Sequence, residues 1–589
     1  MKKIVLLCIC VLLCLNCLPV MCAPPAVVSL YVSPENGNDR YSGSEQYPFA
    51  TLEKALRTAQ LLEEKTMIYL REGVYPGGLL LDQSASRLML RSYPGERVEF
   101  QAASGRPALS LTGCSQVSVQ GIAFSGGSGA VIRDCQLSAV YDCEFSNMEQ
   151  GVRVEGDVRL EGNVIRRIRG GALTLSSGVQ ESLQPGQCIV THNTIENYGK
   201  NGLGTAGVRI SGVGVVFSHN TVRDAAGCAV EISGNEHRVQ NNAFERIDAA
   251  GAVCTQGNVA SRGTEIRNNR FTDCTETGIV LNEFSSGITM VGNVFYRLNR
   301  AAQILGGRNH TFQENVSISC GASLSIEKEA FPYEKRQRLQ EQLNRLPNQE
   351  LWLERYPELK NLMKDQPGLP KYNRVSGNYV FETPVSVIAD AAVQNGEIGS
   401  DTVLQDKGAF ADFDAGDFTL EGGPDCTRMG SRQEELQAQL AGCIVLKVDR
   451  WLALNHGAAE AVDADNHKVT PAVRQDRTLV PIRFVAEQLG ATVTWNGAAE
   501  TVLVKKGKDE LLLTVGSKTV RHNGEQKELD VAPVVEQSRT LVPLRAIAEG
   551  LSMEVSWDDA GWITIGEQPA EWKDEFMRDA LNRIYQTEF

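Results

Sequence analysis

Five short glycine-led segments carry the side chains best suited to chemistry in this sequence. They are Gly207-Val208-Arg209-Ile210-Ser211, Gly227-Cys228-Ala229-Val230-Glu231, Gly251-Ala252-Val253-Cys254-Thr255, Gly278-Ile279-Val280-Leu281-Asn282 and Gly321-Ala322-Ser323-Leu324-Ser325. Read as strands, they turn the first and third positions after glycine inward and the second and fourth toward solvent. The fourth positions then form an outward row of Ser211, Glu231, Thr255, Asn282 and Ser325. Glu231 and Glu283, the residue after Asn282, fall two strands apart, about 10 Å by interstrand spacing. Carboxyl groups roughly 6.5–9.5 Å apart suit inverting glycoside hydrolysis, one protonating the leaving oxygen while the other activates water. Asp248, in the turn leading to the Gly251 segment, is a third catalytic candidate. Arg209, Thr255, Gln256, Asn282 and Arg308 are candidates for holding a substrate on that face. Arg209, Arg238 or Arg308 could instead act as the base of a β-elimination, though no dense aspartate cluster for calcium accompanies them. No Ser-His-Asp order, P-loop or dinucleotide fingerprint stands out, and no cofactor is implied.

These segments need a frame that repeats, and the sequence supplies one. Asn163-Val164-Ile165, Asn193-Thr194-Ile195, Asn220-Thr221-Val222, Asn242-Ala243-Phe244, Asn269-Arg270-Phe271 and Asn293-Val294-Phe295 recur every 22 to 30 residues. Ile122-Ala123-Phe124 and Cys143-Glu144-Phe145 extend the series upstream, and Asn315-Val316-Ser317 extends it downstream. A repeat this short cannot bury its own apolar face, so copies must stack. One β-rich turn per repeat, with an asparagine at the corner, predicts a mainly β chain wound as a right-handed parallel β-helix. The amide side chain would satisfy backbone groups that a stacked corner leaves unpaired, and bond to the next asparagine. His192-Asn193 and His219-Asn220 are expected to stack at such corners.

With 589 residues the chain calls for two or more domains. Lys2 and Lys3 precede an apolar run from Ile4 to Leu15 and then Val20-Met21-Cys22-Ala23, the form of a secretory signal over 1–22. The mature protein is expected to be exported, without a membrane-spanning segment, and monomeric. The ten cysteines beyond the signal form no C-x-x-C zinc signature and are read as small buried residues along the solenoid. No metal site is expected. A net charge of -14, with no basic stripe, argues against a nucleic-acid partner.

Thr51 is placed to cap a helix whose face holds Leu52, Ala55, Leu56, Ala59 and Leu62, covering the open end of the solenoid. The opening, from Tyr31-Val32-Ser33-Pro34-Glu35-Asn36-Gly37 to Gly73-Val74-Tyr75, resembles the start of secreted β-helix enzymes that act on polysaccharides. Coils are expected from about Leu79 to Ile326. A helical insertion follows over 331–370, the solenoid resumes at Gly377-Asn378-Tyr379-Val380, and the domain closes by residue 430. A linker, 431–443, leads to a second domain over 444–567 and a terminal helix over 568–589. In that domain Arg477-Thr478-Leu479-Val480-Pro481-Ile482-Arg483 recurs as Arg539-Thr540-Leu541-Val542-Pro543-Leu544-Arg545, and Trp495 as Trp557, both 62 residues later (539−477; 557−495). Each copy reads as a loop, an amphipathic helix and a strand pair, giving a small α+β two-repeat domain. It resembles the copper-amine-oxidase N-terminal-like domain, a stalk and not an oxidase. His456, His467 and His522 lack close ligand spacing for copper.

Residues 186–326 are similar to glycosidases akin to glycoside hydrolase family 141, through Gly212-Val213-Gly214, Gly234-Asn235-Glu236-His237, Gly263-Thr264-Glu265-Ile266-Arg267-Asn268-Asn269 and Gly306-Gly307-Arg308-Asn309. The resemblance implies polysaccharide hydrolysis, with polysaccharide or cell-wall glycan as partner. It also implies an aspartate where Ala249 stands and paired aspartates where Asn282-Glu283 stand. Glu327 fills an acidic position after the Gly321 strand and joins the substrate-holding candidates. An asparagine cannot move a proton as a carboxyl group does. Two readings therefore stand side by side: a secreted glycoside hydrolase, and a non-catalytic glycan-binding or surface-structural protein. Polysaccharide lyase is the third.

Overall fold

A computed structural model describes residues 28–420 and 440–566, except 63, 200–204, 441, 457, 465, 476, 551–552 and 558–561. The predicted signal, most of the linker and the terminal helix lie outside the described residues. The chain divides into two units, residues 1–429 and 430–589.

In the first unit the chain winds repeatedly through three parallel sheets. Sheet 1 has 14 strands, from Val28–Val32 to Glu397–Ile398; sheet 2 has 13, from Gly73–Pro76 to Thr402–Val403; sheet 3 has 12, from Leu79–Leu81 to Val387–Ile388. Every strand pairs only with its counterpart in the coil before and after, so the parallel solenoid expected from the repeat is present. Its strands run from Val28 to Val403, on both sides of the Leu79–Ile326 stretch.

The corner between sheets 1 and 2 shows why asparagine recurs. The residue before each ladder asparagine (Gly162, His192, His219, Asn241, Asn268, Gly292, Glu314 and Gly377) has positive φ, which bends the chain. Each asparagine then bridges coils. Asn220 Nδ2 donates to Val190 O at 3.0 Å and to Asn242 Oδ1 at 3.1 Å, and its Oδ1 accepts the Asn193 amide at 2.9 Å. The ladder continues past Asn315 to Asn378 across a 63-residue detour. The imidazoles of His192 and His219 stack at 4.9 Å, as expected. Inside sheet 2, phenylalanines form columns: Phe100, Phe124 and Phe145, then Phe244, Phe271 and Phe295, with centroids 4.8–5.7 Å apart. Burying one such ring is worth roughly 1.5–3 kcal/mol, so the core is a stack of equivalent layers. The described cysteines are free thiols, most of them buried.

Helix α1 (Leu52–Leu62) is capped by Thr51, whose hydroxyl accepts the Lys54 amide at 3.3 Å. Leu52, Ala55, Leu56 and Ala59 pack on the core; Leu62 stays exposed, contrary to the sequence reading. Residues 331–370 contain α2 (Tyr333–Asn344), α3 (Gln349–Arg355) and a 3-10 turn (Pro357–Asn361), the predicted helical insertion. A hairpin, Phe410–Asp412 with Asp417–Leu420, lays Phe410 and Phe418 on Val294, Val316 and Ile318 of sheet 2 and ends the described part of the unit.

The first strand of the second unit is Cys443–Lys447. Its two repeats are intertwined. Repeat one contributes strands Cys443–Lys447, Leu452–Asn455 and Ala458–Ala461 to a sheet completed by Val555–Trp557 and Trp562–Gly566 of repeat two. A second five-stranded sheet joins Thr492–Asn496 and Thr501–Lys506 of repeat one to Asp509–Thr514, Thr519–His522 and Glu525–Glu528 of repeat two. Between them, Arg477–Pro481 pairs antiparallel with Arg539–Pro543. Val480 faces Val542, the equivalent residue 62 positions on (542−480), so a pseudo-twofold axis passes there.

Candidate functional site

Sheet 3 carries the glycine-led segments, and its hydrogen-bonded register fixes which side chains face outward. One outward column reads Arg209, Glu231, Cys254, Val280, Gln303 and Ser325. Two residues further along lie Ser211, Ser233, Gln256, Asn282, Leu305 and Glu327, by the strand period, with Leu305 and Glu327 in direct register. The row expected from the sequence therefore draws on two columns: Glu231 and Ser325 belong to the first, Ser211 and Asn282 to the second. Thr255 belongs to neither: it pairs with Ile232, is 2% exposed and points inward. The leading glycines are not equivalent. Glu231 is four residues past Gly227, but its neighbour Cys254 is three past Gly251. A slip of one residue exchanges the two faces of a strand.

The three catalytic candidates do not meet. Glu231 sits mid-strand, where its carboxylate accepts from Arg209 Nε at 3.1 Å. Glu283 lies past the end of its strand, two coils from Glu231 and beyond the corner that Asn282 closes. Its carboxylate is held by Lys335 Nζ at 2.6 Å and by Arg338, both on α2. Burial pushes its pKa up, but the bonds from Lys335 and Arg338 more than offset this and leave it below the usual carboxylate range. Asp248 lies at the opposite corner, six residues before Cys254 (254−248), where it accepts from Thr275 Oγ1 at 2.9 Å. An acid kept protonated by burial beside an ionised partner is what hydrolysis needs. Glu283 is the reverse, a carboxylate fixed as an anion.

The substrate-holding candidates also separate. Arg209, Gln256 and Glu327 are exposed on the sheet 3 face. Glu327 accepts from Gln303 Nε2 at 2.6 Å and Ser325 Oγ at 3.1 Å. Asn282 instead closes the corner, its Nδ2 donating to Thr255 O at 2.6 Å. Arg308 is buried at the corner leading to sheet 1, bound to Asp365 at 2.7 Å, and does not reach the face. Arg238 lies on sheet 1, so of the arginines considered as an elimination base only Arg209 borders the face.

What the sequence reading missed is the role of the insertion. It clamps the corners between sheets 3 and 1, where Glu236, Arg262, Glu283 and Arg308 alternate in sign from coil to coil. Arg355 binds Glu236 at 2.6 Å, Glu358 binds Arg262, and Asp365 binds Arg308. Trp352, fully buried, donates from its indole to Gln180 O at 3.3 Å, and packs with Val259 and Ala260. Among the described residues no group of three or more His, Cys, Asp or Glu is placed to hold a metal ion.

The family profile described as right handed beta helix region matches residues 78–206 and 206–333. That of the copper amine oxidase N-terminal domain matches 460–565. No curated protein sequence matches the chain. Among solved structures, a glycoside hydrolase is similar at 11% identity over 48% of this chain and 96% of its own, with a TM-score of 0.37. The PL6 family alginate lyase AlyGC is similar at 14% identity over 62% of this chain and 53% of its own, TM-score 0.41. PfbA, a surface adhesin of Streptococcus pneumoniae, is similar at 12% identity over 61% of this chain and 92% of its own, TM-score 0.31. These three differ in activity among themselves, and at such values carry nothing about the reaction. The chain thus joins a parallel β-helix to a domain that matches the copper amine oxidase N-terminal profile.

Proposed function

We propose that this is an exported, monomeric β-helix protein that holds a polysaccharide against the outer face of sheet 3 without cleaving it. The observation that carries this reading is the dispersal of the carboxylates. Asp248 is at one corner, Glu231 in mid-strand and Glu283 at the other corner, neutralised by Lys335 and Arg338. What remains on the face is a row of Arg209, Glu231, Gln256, Gln303 and Glu327. Coils recur about every 4.8 Å, so hydroxyl-bonding groups repeat along the solenoid at a pitch an extended glycan can follow. The α2–α3 insertion borders one side of this face and is fixed there by ion pairs, so the surface is preorganised.

The test is affinity electrophoresis of the whole protein through gels containing a panel of plant and bacterial polysaccharides. Retardation by at least one polymer, reduced several-fold in Arg209→Ala and Gln303→Ala, is the expected result. Equal mobility of wild type and both variants in every gel would remove sheet 3 as the binding surface.

A further inference from the structure

The copper amine oxidase N-terminal domain holds a second candidate site. In its first repeat, Trp495 lies on Thr492–Asn496, an edge strand that pairs only with Thr501–Lys506. Trp495 is 43% exposed. It borders a cleft of about 790 Å³, also lined by Pro481, Arg483, Glu487, Val535 and Ser538, which brings together both repeats. We propose that this cleft binds a neutral saccharide chain, with the indole of Trp495 as its platform.

Two independent observations support a ligand here. The first is what the repeat preserves. Leu479-Val480-Pro481 and Leu541-Val542-Pro543 recur because they pair with each other in the buried centre of the domain. Trp495 recurs as Trp557 as well, yet its exposure shows that core packing does not require it. The second is the chemistry of the lining. Cations and anions balance: Arg483 faces Glu487 at 3.8 Å, and Arg539 is bound to Asp463. A charged ligand gains nothing from such a cleft. A sugar ring, apolar on one face and hydroxylated at its edge, matches an indole fringed by Arg483, Glu487 and Ser538. The volume lies within the range of small-ligand clefts, about 300–1,000 Å³. The site is separate from sheet 3 and stands or falls without it.

The experiment uses the full chain in native gels cast with neutral β-glucan, xylan or galactomannan. Wild type should be retarded by at least one. Trp495→Ala should weaken the affinity about tenfold, the loss of roughly 1.4 kcal/mol, whereas Trp495→Phe, which keeps an aromatic face, should be intermediate. Arg483→Ala, on the rim, should weaken binding several-fold and serves if Trp495→Ala fails to fold. Arg209→Ala, on the solenoid, should leave the Trp495-dependent part unchanged. Absence of retardation of the wild type in all three gels would overturn the proposal. So would retardation that survives both Trp495→Ala and Arg483→Ala. Binding of an extended peptide to the Thr492–Asn496 edge, with no saccharide retention, would replace it with strand addition.

Discussion

Each ladder asparagine closes one corner by serving three coils at once, so its loss is felt beyond its own repeat. Asn220→Ala would strip the Asn193 amide and the Val190 carbonyl of their partners inside a corner that excludes water. An unpaired buried backbone group costs about 1–3 kcal/mol. Denaturant unfolding should therefore show a loss of about 2–5 kcal/mol, and a loss below 1 would mean that water replaces the amide. Buried histidines give a second test. Burial pushes the pKa of His237 down to about 4 and that of His310 to about 3. Both are neutral in the folded state and titrate near 6.5 when unfolded. A group with a depressed folded pKa contributes stability above its unfolded pKa and loses it as pH falls toward the folded value. From pH 6.5 to 5, each should cost about 1.6 kcal/mol of stability, as the proton uptake per histidine on unfolding rises from about half to about one. Unfolding free energies that do not change between pH 7 and 5 would contradict this. The corner asparagines could be read from sequence because their position within the repeat never shifts. The outward row could not: the glycines that head the strands sit at different register positions, and one residue of slip put Thr255 on the wrong face.

At the scale of elements, the insertion is the part whose contacts the sequence did not show. Its helices were readable from composition, but Arg262 meets Glu358 across 96 residues, and no local pattern encodes such a distance. The ion pairs differ in weight. Arg355 with Glu236 is exposed, and such pairs contribute at most about 1 kcal/mol. Arg262 is 1% exposed, so removing its partner leaves a buried charge, which costs about 3–5 kcal/mol. Glu358→Ala should therefore free the insertion to limited proteolysis between 331 and 370 and lower stability. Glu236→Ala should do neither to a comparable extent. Equal protection of the two variants would show that the apolar contacts of Trp352 hold the insertion alone.

At the scale of the whole molecule, the two units illustrate different limits. The winding of the solenoid followed from one repeating triplet, because each coil touches only its neighbours. The exchange of strands in the second unit did not follow from its 62-residue repeat. Repetition gives the parts but not their partners. The one local clue was the two-residue turn Gly507-Lys508, with Gly507 at φ +60, joining the last strand of repeat one to the first of repeat two. Because each five-stranded sheet draws on both copies, residues 443–506 and 509–566 expressed apart should each be unfolded by circular dichroism. Mixed, they should recover the signal of the intact domain. A cooperative thermal transition in either fragment alone would contradict the intertwined arrangement.

We infer that the face of sheet 3 holds a polysaccharide and that Glu231 and Glu283 form no working acid-base pair there. This is tested most directly by measuring reducing ends released from polysaccharides that retain the protein, for wild type, Glu231→Gln and Glu283→Gln. None of the three should release reducing ends, and retention should be unchanged in Glu283→Gln. Release by wild type that is abolished in both variants would show that these two carboxylates work together after all.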